Sequence, residues 1–187
     1  MSDPNELELR FKAEVFAKLE RCGVDRARVK ISYEDYLQDY EMTIDGSADA
    51  LSDEQYAAIA EVASSDGHII IFNDEAARNR LWRAAHKLGV DKARQWLAER
   101  GKLEGLPAFD ATQSDLPTYA RALEAHLGFT PGSMLEVRDV ATVGRQQIVV
   151  KSFANSEQYS MAVYAISVSN LRESGVITGI IGGASSE

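Results

Sequence analysis

Near the start of the chain Leu7, Phe11, Val15, Leu19 and Cys22 recur at helical spacing, and Gly23 ends the run. Ser2-Asp3-Pro4 supplies a cap and a first-turn proline, so this segment is predicted to be a helix. The period then drops to two. Val29, Ile31 and Tyr33, and after a short acidic link Tyr40, Met42 and Ile44, alternate with polar residues, which predicts a β-hairpin. Ser52-Asp53-Glu54-Gln55 is a capping box, in which side chains satisfy the free N–H groups of a helix start; Tyr56, Ile59, Ala60 and Ala63 extend that helix. The mostly apolar run 68–72 suits a strand buried on both faces. Asn73 or Asp74 caps the next helix, which carries Leu81, Trp82, Ala85 and Leu88 up to Gly89. Asp91 is read as the start of a further short helix with Trp96 and Leu97.

Residues 101–114 (GKLEGLPAFDATQS) have loop composition and divide the chain into an N-terminal half, 1–102, and a C-terminal half, 103–187, unless both form one compact domain. A helix with Tyr119, Leu123 and Leu127 follows, capped by Ser114 or Asp115 and ended by Gly128. Residues 134–140 and 146–153 read as a second hairpin across Val143-Gly144. The run 159–171 is apolar on all sides and by period alone fits a buried helix or a central strand. A comparison decides it: Ser52-Asp53-Glu54-Gln55-Tyr56-Ala57 aligns with Asn155-Ser156-Glu157-Gln158-Tyr159-Ser160, identical at three of six positions and 103 residues later. Both halves then read helix, hairpin, helix, and the later run is predicted helical with Asn155 as its cap. So short a match leaves duplication open. The tail 175–187 adds one short strand. The expected class is α+β, helix–hairpin–helix units with a mixed or antiparallel sheet packed by helices.

Composition changes this picture little, but charge changes it a good deal. With 45% apolar and 26% charged residues in 187, the chain can bury a core without staples. One cysteine, no N-glycosylation triplet and no apolar stretch of membrane-spanning length lead to the expectation of a soluble, cytoplasmic protein. The net charge of −9 is unevenly spread. Residues 31–77 contain no Lys or Arg and 12 acids, whereas 78–102 hold 8 basic groups against Asp91 and Glu99. A long acidic segment repels phosphate and anionic lipid and favours a cationic partner.

The search for chemistry is mostly negative. No phosphate-binding glycine loop occurs, and His68, His86 and His126 are scattered, so neither a cofactor nor a metal site is expected. No nucleophile elbow is present, and Cys22 falls on the apolar side of the first helix, where a thiol is an inert small hydrophobe. His68, beside Asp66, is the one histidine with an acid close by in an interior setting. It anchors an alternative reading as an enzyme with a pocket between the halves, near the 101–114 loop. Residues 84–92 resemble the first helix and turn of a helix-turn-helix, which suggests nucleic-acid binding through the basic helices 78–102. That resemblance departs at Gln95, where a recognition helix carries an aliphatic residue, and the whole-chain charge opposes it.

The acidic hairpin gives the leading expectation. Glu34, Asp35, Tyr36, Asp39 and Glu41, with Tyr33 and Tyr40, combine carboxylates that speed association with a cationic surface and tyrosines that bury area at low entropic cost. Tyr40 is expected in the core and Tyr36 outside it. The chain reads as a non-enzymatic binding module of inhibitor, immunity or escort type, with a basic protein as partner and a homodimer compatible with every reading.

Overall fold

The switch of apolar period from helical to alternating sets the first elements. The computed structural model describes residues 4–140, 145–151, 156–171, 174 and 176–180. The Ser2 and Asp3 cap, the Val143-Gly144 turn, residues 152 and 153, the Asn155 cap and the tail beyond 180 lie outside these residues. The fold is α+β, and the chain divides into two units, Met1–Leu88 and Gly89–Glu187.

In the first unit, α1 (Pro4–Arg21) precedes a hairpin of β1 (Val29–Glu34) and β2 (Asp39–Ile44), paired antiparallel from Val29↔Ile44 to Glu34↔Asp39. The capping box forms: the Ser52 hydroxyl accepts from the Gln55 N–H and the Gln55 amide oxygen accepts from the Ser52 N–H, opening α2 (Asp53–Asp66). Gly67, at φ +70°, ends it in the left-handed region that glycine enters without strain. The chain then returns as β3 (Ile69–Phe72), parallel to β2, giving the order β1-β2-β3. Alternation selects the core face: Met42, Ile44, Ile70 and Phe72 join Val15, Leu19, Tyr56 and Ile59. β3 was expected to be buried on both faces. It is instead an edge strand, with Ile70 and Phe72 buried and Ile69 and Ile71 only half-buried, because this core lies on one side of the sheet.

The Asp74 carboxylate caps α3 (Glu75–Glu99) by accepting from the Ala77 N–H at 2.8 Å. A break at Gly89 and a new helix from Asp91 were expected; α3 runs through both. Its apolar stripe follows positions 77, 81, 84 and 88, meets Asp91 and Lys92, and resumes at Ala93 and Leu97 after a slip of phase. Read along the sequence, that slip imitates a helix end. A single glycine costs a helix only about 1 kcal/mol, which the surrounding Ala, Leu, Arg and Lys offset. The helix-turn-helix likeness therefore has no turn behind it.

In the second unit, Asp115 caps α4 (Leu116–Leu127) through the Thr118 N–H at 2.7 Å, and Gly128 ends it at φ +89°. β4 (Leu135–Val140) and β5 (Arg145–Val150) form the second hairpin. The run that period left undecided is α5 (Ser156–Val168), and β6 (Ile177–Ile180) pairs parallel to β5 in the order β4-β5-β6. Helix, antiparallel hairpin, helix and parallel strand thus occur in the same sequence order in each unit, with hairpins of equal length. The likeness is one of topology.

The 101–114 loop, expected to separate the halves, lies inside the second unit. Phe109 is buried in that core, and the Asn170 side chain clamps it, donating to its carbonyl and accepting from its N–H, each at 2.7 Å. The Tyr119 hydroxyl donates to the Pro107 carbonyl, and the His126 ring meets the Lys102 carbonyl at 3.0 Å. Loop composition hid three apolar anchors, Leu103, Leu106 and Phe109.

Candidate functional site

Because β1 and β2 pair in register, Glu34 stands directly opposite Asp39 on one face of the hairpin, and Glu41 follows two residues along. The other face carries Tyr33 opposite Tyr40, their rings edge to face at 5.3 Å. Tyr40 rests on Phe11 of α1 at 4.7 Å, so an aromatic row leads from the core outward. Tyr40 is half-buried, whereas Tyr33 is 52% and Tyr36 74% exposed. In the turn, Gln38 holds φ +54°, a conformation that non-glycine residues adopt at a cost.

The Tyr36 hydroxyl donates to Glu41 Oε2 at 3.3 Å, and the Thr43 hydroxyl donates to Oε1 of the same carboxylate at 3.4 Å. Asp39 Oδ1 accepts from the Tyr40 N–H at 2.7 Å. Partial desolvation, then the charge and hydrogen bond of Glu41 and the charge of Glu34, push the Tyr36 phenol above its usual value. For a side chain this exposed, the carboxylates are the weightier cause.

Part of the remaining acidic segment meets cations within the unit. Arg80 reaches Asp53 at 2.5 Å and Asp49 at 4.0 Å while donating to the Ala48 carbonyl. Lys18 pairs with Glu14 and with Asp66, and Asp45 accepts from the Asn73 amide. The hairpin differs: among the described residues no Lys, Arg or His forms an ion pair with Glu34, Asp35, Asp39 or Glu41. All five expected residues therefore lie together on one hairpin, with Tyr36 on the carboxylate side.

The residues behind the other readings are placed as follows. His68 precedes β3, meets Asp66 at 3.8 Å and packs edge-on to Phe11. Beside it, between α1 and α2, an open hollow of about 410 Å³ is lined by Lys18, Cys22, Glu61, Val62 and Asp66. Burial, opposed by the Arg21 charge, pushes the Cys22 thiol up, away from the reactive thiolate. Of the basic residues, Arg80 pairs with the acidic segment, Arg78 donates to the Phe72 and Asn73 carbonyls, and Arg100 lies over Trp96 and pairs with Glu157. Trp82, read with Leu81, Ala85 and Leu88 among the apolar residues of its helix, is 56% exposed and stacks on His86. Its position one residue after Leu81 puts it off the apolar stripe, a signal the sequence did carry.

One group escaped sequence reasoning altogether. Glu124 is 0% exposed, and its carboxylate accepts from the backbone N–H groups of Gly132, Met134 and Leu135, pinning the turn that leads into β4. Nothing in a helix surface pattern marks a glutamate as a loop anchor. No protein-family model, no curated protein and no solved structure matches this chain.

Proposed function

We propose that this protein is a non-enzymatic binding module that presents Glu34, Asp35, Tyr36, Asp39 and Glu41 to a basic surface on another protein, as inhibitors, immunity proteins and secretion escorts do. One observation carries the reading: Glu34 and Asp39 are directly opposed like charges, and among the described residues no cation forms an ion pair with either. Such a pair destabilises a hairpin, and a local rule broken without compensation marks a surface selected for something other than stability. A cationic partner relieves the repulsion on docking. The carboxylates steer the encounter, and Tyr36, rigid and exposed, supplies buried area and a hydrogen-bonding tip. A cytoplasmic setting is part of this proposal.

The test is affinity capture from the native host with wild-type bait and with bait carrying Asp35→Lys, Asp39→Lys and Glu41→Lys. The expected result is a basic protein retained by wild type at low salt, released at about 0.5 M salt and missing from the reversed bait. A control bait reversed at Glu104 and Asp110 retains it. Identical retained sets on all three baits overturn the reading.

A further inference from the structure

The first unit carries a second exposed aromatic surface, of opposite charge to the hairpin. On α3, Trp82 and His86 stack with ring centroids 5.5 Å apart, and Arg83 and Lys87 flank them one residue on. All four side chains are exposed. From 76 to 90 the chain contains no acidic residue. The hairpin offers the converse: Tyr36 and Tyr33 exposed, four carboxylates, and no Lys or Arg from 31 to 77.

The two surfaces belong to different elements of the first unit. The hairpin turn sits at the Glu34↔Asp39 end of the sheet, whereas α3 starts beyond the Ile44↔Phe72 end, where β3 finishes. The outward placement of Trp82 is also unexplained by the core, since the apolar stripe of α3 in this unit runs through Ala77, Leu81, Ala84 and Leu88.

We infer that the occupant of the Trp82–Arg83–His86–Lys87 face is a second copy of this chain, docking its acidic hairpin there, so that two such contacts related by a two-fold axis close a homodimer. The argument is charge complementarity between surfaces that each expose an aromatic anchor, and it rests on the hairpin being a docking surface. Every copy has one of each, which satisfies the self-complementarity of a two-fold interface. In the dimer the directly opposed Glu34 and Asp39 gain cations, with which among the described residues of one copy they form no ion pair, and Tyr36 and Trp82 supply the aromatic contact found at the centres of interfaces. A dimer of this kind covers the hairpin, so any other basic partner must compete with α3 for it.

Charge reversal on each side supplies the experiment, read by light scattering and sedimentation at about 50 mM and about 500 mM salt. The wild type is expected at twice its 20.5 kDa mass at low salt, shifting towards monomer at high salt. Asp35→Lys with Asp39→Lys, and separately Arg83→Glu with Lys87→Glu, each leave a monomer, because like charges then face each other. An equimolar mixture of the two variants regains the dimer, since both contacts in the mixed pair are again attractive; this rescue also shows that each variant is folded. Tyr36→Ala or Trp82→Ala weakens self-association on the order of tenfold. A wild type that stays monomeric at low salt, or a mixture that fails to re-form the dimer, overturns the inference. A monomeric chain that still captures a basic protein through its hairpin leaves the proposed function standing. A dimer indifferent to both reversals overturns this interface, and identical capture by all baits overturns the function.

Discussion

Arg80 of α3 donates to Asp53 in the first turn of α2, Nη2 to Oδ1 at 2.5 Å, with the same guanidinium lying over the Tyr56 ring. The pair shows how the basic helix and the acidic segment divide. Arg80 meets Asp49 and Asp53 of that segment, whereas among the described residues no cation pairs with the hairpin carboxylates.

This contact sets a pH dependence. The hydrogen bond from Arg80, and then its charge, hold the Asp53 carboxyl below the usual value. A depressed folded value contributes stability above the unfolded value, about 3.9, and that stability is lost as pH falls through the folded one. Asp53→Asn is therefore expected to lower the urea midpoint near pH 6, with the gap to wild type closing as the pH falls below about 4. A gap that persists unchanged at low pH contradicts the assignment.

Gly89 tests the continuity of α3. It has no left-handed φ, and a Cβ added there meets nothing within 4 Å. Gly89→Ala is expected to stabilise the protein by about 0.5–1 kcal/mol through reduced chain entropy. A turn glycine gives the opposite sign, so thermal melting separates the two.

Among the described residues Glu124 is the fully buried charged side chain. Glu124→Ala strands three backbone donors in a buried place and is expected to cost about 3–5 kcal/mol by denaturant titration. Glu124→Gln keeps one acceptor oxygen for Met134 and Leu135 but turns an NH₂ towards the Gly132 N–H, and is expected to cost about half as much. Equal losses for both variants contradict the hydrogen-bond account.

Gly46 sits at φ +146°, and a Cβ there would fall 1.4 Å from Nη2 of Arg28, whose Nε is tied to the Asp45 carbonyl at 2.5 Å. Gly46→Ala is expected to cost about 1–3 kcal/mol. Adding Arg28→Ala removes the overlap but not the backbone strain, so the double variant recovers only part of the loss.

Much of the site was legible because its signals are local. Alternation from Val29 to Ile44 fixes the hairpin and its register, and register alone puts Glu34 opposite Asp39. Exposure of Tyr36 follows from the same pattern, whereas Tyr40, expected in the core, is half-buried and packs against its margin. Which acids meet a cation was not legible, because Arg80 and Asp53 are 27 residues apart and only packing brings them together.

The amino-acid order alone determined the class of fold, the cap at Ser52, the two hairpins and the helical state of 156–168, and narrowed two further caps to Asn73 or Asp74 and Ser114 or Asp115, since each depends on neighbours a few residues away. Tertiary structure decided the rest. It placed β3 at a sheet edge, carried α3 unbroken through Gly89, took the 101–114 loop into the second core through Phe109 and Asn170, and buried Glu124 under three amide groups. The strand edge, the loop and Glu124 rest on contacts across the fold, whose energy outweighs a local preference of about 1 kcal/mol once the chain has closed around it, whereas α3 continues through Gly89 because the helix formers around it offset a cost of that size.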